Sequence, residues 1–246
     1  MILVDSVDPA PKAQGWSDAG LKRAIATLTQ VAAPQPTQVL PTGHLEEHWE
    51  GKDPESVGTA GDTGSDTIWC PLTTQVEFEA GLESGPESGP ESLRSHPLLS
   101  LTARCGEIER LQQQISEKLG CETGEATLWL PVVVTAKGPL YAEAIAPNAN
   151  TEGANYKQPF HLSDRQRQTV YRLAHQILDC LNAPPAVYLL GLGVTLAGKE
   201  VGEIWFDRVL PFPGEPAIAS LGIQTPDLFD CHWRCITGQP IRDITI

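Results

Sequence analysis

Ten residues in the first half of the chain, ESGPESGPES at 83–92, rule out a continuous core. Glycine maximises backbone freedom, proline withdraws a hydrogen-bond donor, and glutamate and serine offer no apolar surface. Such a run cannot repay the entropy of ordering it. It sits in a longer polar stretch, residues 41–98, rich in Gly, Pro, Ser and Glu. That stretch reads as an acidic low-complexity linker, with one alternating island, TQVEFEA at 74–80, shaped like an edge strand. A packed structure must therefore come from the flanks, 1–40 and 99–246.

The first flank reads as a small strand–helix–strand unit. Ile2-Leu3-Val4 is a short apolar strand, and Gln38-Val39-Leu40 is a second one. Between them Ser17 caps a helix running to about residue 32, with Leu21, Ala24, Ile25 and Leu28 on one side.

The second flank is patterned throughout. Ile108, Leu111, Ile115 and Leu119 follow helical spacing, and Gly120 stops the helix. Leu128 through Val134 is an apolar β-branched run, turned by Ala136-Lys137-Gly138, with Leu140 through Ala146 returning as its hairpin partner. The loop NANTEGANYK follows. Ser163 and Gln166 form a capping box for a helix with Val170, Leu173, Ile177 and Leu181 inward, ended by Pro184-Pro185. Val187 through Leu196 is a buried strand, and Gly198-Lys199 turns it into the next. Thr225 caps a last helix with Pro226 in its first turn and Gly238 at its end; Asp227 suits the N-terminal dipole. The order of helix, hairpin, helix, hairpin, helix gives an α+β fold with a mainly antiparallel sheet and packed helices.

The net charge of −14 argues against nucleic acid and anionic membranes, both of which select clustered Lys and Arg. The N-terminus lacks a basic region and a long apolar run, and no window approaches the ~18 apolar residues of a membrane helix. The expectation is a cytoplasmic protein with reduced thiols. Its cysteines are scattered, and only CHWRC brings two, Cys231 and Cys235, within a helical turn around His232. No second ligand pair stands at zinc spacing, so buried small residues are the expected role.

Three motifs have chemical readings. His44, Glu47 and His48 match the H-x-x-E-H zinc-protease pattern. Pro41-Thr42-Gly43 and Gly51-Lys52-Asp53-Pro54 confine any helix there to about two turns without an apolar stripe. A solvated polar segment is the better reading. Gly191-Leu192-Gly193 lies within a strand-like run and lacks the third glycine of a nucleotide turn. It signals a bulge or close backbone approach. Finally, GEIWFDRVLPFP at 202–213 delivers Asp207 toward an exit braced by Pro211 and Pro213, with Arg208 beside it.

Three segments together resemble the C-terminal part of ATP-grasp ligases. The likeness is to the ATPase subunit of phosphoribosylaminoimidazole carboxylase, the carboxyaminoimidazole ribonucleotide synthase of purine biosynthesis. VVVTAKGPLYAEAIAPNANTEG is similar to that family's strand, turn, strand and Asn-containing loop. GEIWFDRVLPFP is similar to its strand ending in Asn-Glu with a Pro-x-Pro exit. TPDLFDCHWRCITGQPI is similar to its last helix through Thr225, Phe229, His232, Arg234, Gly238 and Pro240. The resemblance spans roughly residues 125–242, within an ATP-grasp-like domain over 99–246.

In such ligases two acids and an amide hold Mg²⁺ against the ATP phosphates. Here the first acid's place falls near Gly191, and the Asn-Glu pair becomes Asp207-Arg208. Phe212 replaces an arginine, Trp129 an acid and Ala136 an arginine. Gly214-Glu215-Pro216-Ala217 stands for the substrate-facing stretch. No Gly-rich, Lys-bearing loop occurs in 41–125. The resemblance makes Asp207 the remaining Mg²⁺ ligand and places Asp207, Glu203 and Arg208 about the nucleotide. It directs Asn148, Asn150 and Glu215 toward substrate. It implies a degenerate, non-catalytic binding or interaction module needing no cofactor, with a homodimer or a protein as partner. The alternative is an active ligase using ATP and Mg²⁺ through Asp207 with Glu203 or Glu215.

Overall fold

Strict alternation sends Leu128, Leu130 and Val132 to one side of a strand and Trp129 and Val133 to the other, and the structure builds a separate apolar layer on each. The computed structural model describes residues 2–5, 16–33, 38–41, 68–74, 96–148, 156–197 and 200–246. Strands β4 (Glu122–Thr123), β5 (Leu128–Thr135), β6 (Gly138–Tyr141), β7 (Ala144–Pro147), β8 (Tyr156–Phe160), β9 (Ala186–Ala197) and β10 (Glu200–Leu210) form one sheet. Its order is β4-β10-β9-β5-β7-β8, with β6 also on β5. Every pairing is antiparallel except β4 with β10. The expected α+β architecture with a mainly antiparallel sheet is thus observed.

Three helices cover the first face: α2 (Pro97–Gly106), α3 (Ile108–Leu119) and α4 (Asp164–Leu181). Leu98, Leu101, Leu111, Ile115, Val170 and Ile177 pack there on Leu130, Tyr188, Leu190 and Phe206. The second face is covered by α1 (Asp18–Ala32), a 3-10 turn (Glu215–Ser220) and α5 (Leu228–Ile236). Ala24, Leu28, Ala217, Phe229 and Cys231 pack there on Val133, Val187 and Leu189. A smaller parallel sheet, β2-β1-β3, joins β1 (Ile2–Asp5), β2 (Gln38–Pro41) and β3 (Trp69–Pro71).

Local signals are met closely. Ser17 caps α1, the Ser163–Gln166 box opens α4, and Gly120 ends α3 in the left-handed region at φ 64. Four details differ. The last helix is capped by Asp227, whose carboxylate accepts the Phe229 and Asp230 N–H groups at 2.9 Å each, rather than by Thr225. Thr225 instead bridges Thr245 near the chain end. The chain 140–146 divides, so that β6 continues the hairpin while β7 pairs β5 at Trp129↔Ile145. Tyr156 and Lys157, read as loop, open β8. Helix α4 ends on Asn182 in the left-handed region, ahead of the two prolines. Helix α2 and strand β3 were not expected, and β3 falls inside the acidic stretch. ESGPESGPES, the His44/Glu47/His48 motif, nearly all of TQVEFEA, Asn150 and the Gly198-Lys199 turn lie outside the described residues. Among the described residues no helix is long and apolar enough to cross a membrane.

Candidate functional site

The site is built on the second face, where β10 and β9 carry Asp207, Arg208, Gly191 and Gly193. Phe206 pairs Leu192 and Arg208 pairs Gly191, which leaves Asp207 as an extra residue, a β-bulge. Neighbours in a regular strand point to opposite faces. The extra residue turns Asp207 and Arg208 to the same one. Arg208 Nε therefore donates to Asp207 Oδ1 at 3.1 Å. The Ala126 N–H donates to Asp207 Oδ2 at 3.2 Å, and the Gln112 side-chain amide donates to the Asp207 carbonyl at 3.0 Å. The Asp207 side chain is 8% exposed and that of Arg208 35%.

Both strand glycines answer to close approach, as expected from sequence. A Cβ on Gly193 would overlap the Trp205 ring. The Trp205 indole N–H donates to the Glu125 carbonyl at 2.7 Å, which fixes the ring. A Cβ on Gly191 would lie 3.2 Å from Ala126 Cβ, 3.3 Å from the Trp129 ring and 3.4 Å from Asp207 Cβ. Indole rings and a short loop thus take the volume above both glycines.

The remaining predicted residues lie elsewhere. Glu203 is exposed on an open groove of about 650 Å³ shared with Glu122, Glu125 and Trp205. Glu215 is buried at the start of the 3-10 turn and accepts from the Ser17 N–H at 2.6 Å and the Ser17 hydroxyl at 2.8 Å. Asn148 follows β7 at a partly buried position. Asp207, Glu203 and Glu215 therefore have different hydrogen-bond partners, and Glu203 stands apart on the groove. Sequence reasoning named neither Ser17 nor Tyr156 for the site. Burial raises the Tyr156 phenol; Glu215 adds to the rise, while the Trp129 indole and Arg208 oppose it. These four side chains share one neighbourhood, and only alternation along β8 could have flagged Tyr156.

A Mg²⁺ ion asks for several oxygen ligands in octahedral array. Asp207 is held by a guanidinium and an amide, and Gly191 supplies no oxygen from a side chain. Among the described residues no group of three or more His, Cys, Asp or Glu is arranged to hold a metal. Among the described residues, those around Asp207 do not fit the ion.

The CHWRC segment on α5 is buried and its cysteines are free. Burial pushes the Cys235 thiol up to about 12 and raises Cys231 further, so neither offers a ready thiolate. His232 is fully buried, and its Nδ1 accepts the Val187 N–H at 3.2 Å. It ties α5 to β9, while Arg234 pairs Asp230 on the same helix.

Comparison with known proteins places the fold. No family model matches the chain. Glycinamide-RNase-transformylase T from Mycobacterium tuberculosis superposes with a TM-score of 0.62 at 13% identity, covering 98% of this chain and 79% of that one. N5-carboxyaminoimidazole ribonucleotide synthetase from Thermotoga maritima gives 0.61 at 10% identity, covering 98% and 76%. In sequence, formate-dependent phosphoribosylglycinamide formyltransferase of Haloquadratum walsbyi is 30% identical over 93 residues, 36% of this chain. The match takes in 21% of that relative's length. The chain has the ATP-grasp-like fold of these purine-biosynthesis enzymes, and the structural likeness reaches well beyond residues 125–242.

Proposed function

We propose that this chain is a degenerate ATP-grasp protein that keeps the scaffold of the purine-biosynthesis ligases and works as a non-catalytic binding or interaction module, pairing with itself or with a protein partner. The observation that carries this reading is the closed Asp207–Arg208–Ala126 arrangement. A cation brought to Asp207 meets a fixed guanidinium. At 4 Å and an effective dielectric near 20 the repulsion is about 4 kcal/mol per unit of cation charge, before further screening by water. Removing Arg208 would still leave one carboxylate where the ligase chemistry of the resemblance uses two acids and an amide.

The catalytic alternative asks Glu203 or Glu215 to complete the metal site. Glu203 stands on the β10 edge groove, and Glu215 is bonded to Ser17. Incubation with ATP, Mg²⁺, bicarbonate and aminoimidazole ribonucleotide separates the two readings. A degenerate site gives no ATP-dependent consumption of the nucleotide substrate. Turnover that disappears in Asp207→Ala overturns the proposal.

A further inference from the structure

We infer that Glu215 is an internal carboxylate latch: it seats at the N-terminus of α1 as an anionic ligand would, and holds α1 against the 3-10 turn and α5. The contact joins residues 198 apart in sequence. One carboxylate oxygen accepts the Ser17 backbone N–H and the other its hydroxyl. The first N–H groups of a helix have no partner inside it, and the helix dipole favours negative charge there. Glu215 meets both demands for a helix of 15 residues.

The surroundings are shaped to this contact. A Cβ on Gly20 would stand 3.0 Å from Ser17 Oγ, 3.2 Å from Ile218 and 3.3 Å from Glu215 Cδ, so glycine lets the first turn of α1 approach. Ser17 Oγ also accepts the Gly20 N–H at 3.1 Å, which links the cap to the carboxylate through one hydroxyl. Ala217, on the same 3-10 turn, packs in one layer with Ala24 and Leu28. Glu215 also neighbours Tyr156, which in turn neighbours Trp129 and Arg208; Trp129 stands beside Gly191 and Arg208 pairs Asp207.

Hydrogen–deuterium exchange of the full chain, without nucleotide, tests the latch independently of the ATP question. Glu215→Ala is expected to speed exchange of the α1 amides about ten-fold or more, while β5 and β9 keep wild-type protection. Glu215→Gln, which keeps the shape and loses the charge, falls between, and supplies the comparison should the alanine variant not fold. Added acetate restores slow α1 exchange in Glu215→Ala, whereas chloride at equal ionic strength does not. Exchange of α1 within about two-fold of wild type in these variants, loosening of β9 together with α1, or acetate acting no differently from chloride would each overturn the inference.

Discussion

Had β10 kept its register through residues 206–208, Arg208 would point into the apolar layer that holds Phe206 and Val209, and Asp207 would stand alone on the other side. The bulge avoids a buried guanidinium and creates the ion pair in one step. Arg208→Ala then leaves a buried carboxylate with the Ala126 N–H alone. Discounting for the partial exposure of Arg208, a loss of about 1–3 kcal/mol is expected in urea unfolding. Adding Asp207→Asn to that variant should recover part of it. Gly193→Ala must displace the Trp205 ring, and a cost of about 1–3 kcal/mol follows from overpacking. His232 gives a pH signature. Burial lowers it from 6.5 to about 3. Between those values the unfolded chain holds a proton that the folded chain refuses, so stability falls as pH falls, approaching about 1.4 kcal/mol per pH unit. His232→Asn should flatten that slope between pH 6.5 and 5, read by unfolding at a series of pH values.

Elements written in local chemistry were legible. Ser17, Ser163 with Gln166, and Gly120 fix helix ends because capping acts within one turn. The last helix shows the limit of that logic: Thr225 and Asp227 are both competent caps, and only the geometry selects Asp227. Asp227→Ala is expected to lose about 1 kcal/mol and Thr225→Ala far less, by thermal unfolding. Helix α2 escaped notice because a histidine caps it and a threonine, Thr102, completes its buried stripe. Strand β3 has three residues and exists only through parallel pairing with β1, some 67 positions away in register. The bulge is a property of two paired strands, and the Ser17–Glu215 contact spans almost the whole chain. Neither leaves a trace in local spacing. The candidate site was therefore legible as a set of altered residues, while its internal pairing was not.

At the scale of the molecule, two helical layers enclose one mainly antiparallel sheet, and a small parallel sheet adjoins through α1. The likeness to purine-biosynthesis ATP-grasp enzymes covers nearly all of the chain in structure and 36% of it in sequence. The sheet face that carries Asp207 is occupied by its own arginine and its own indole rings. On the proposed reading the scaffold is kept while the ligand chemistry is lost, and nucleotide binding is where that reading meets its test. The most direct measurement is titration of a fluorescent ATP analogue into the full chain with and without Mg²⁺. A degenerate site predicts no Mg²⁺-dependent saturation below about 1 mM, equivalent to about 4 kcal/mol of binding free energy. Tight binding that requires Mg²⁺ and disappears in Asp207→Ala would contradict it.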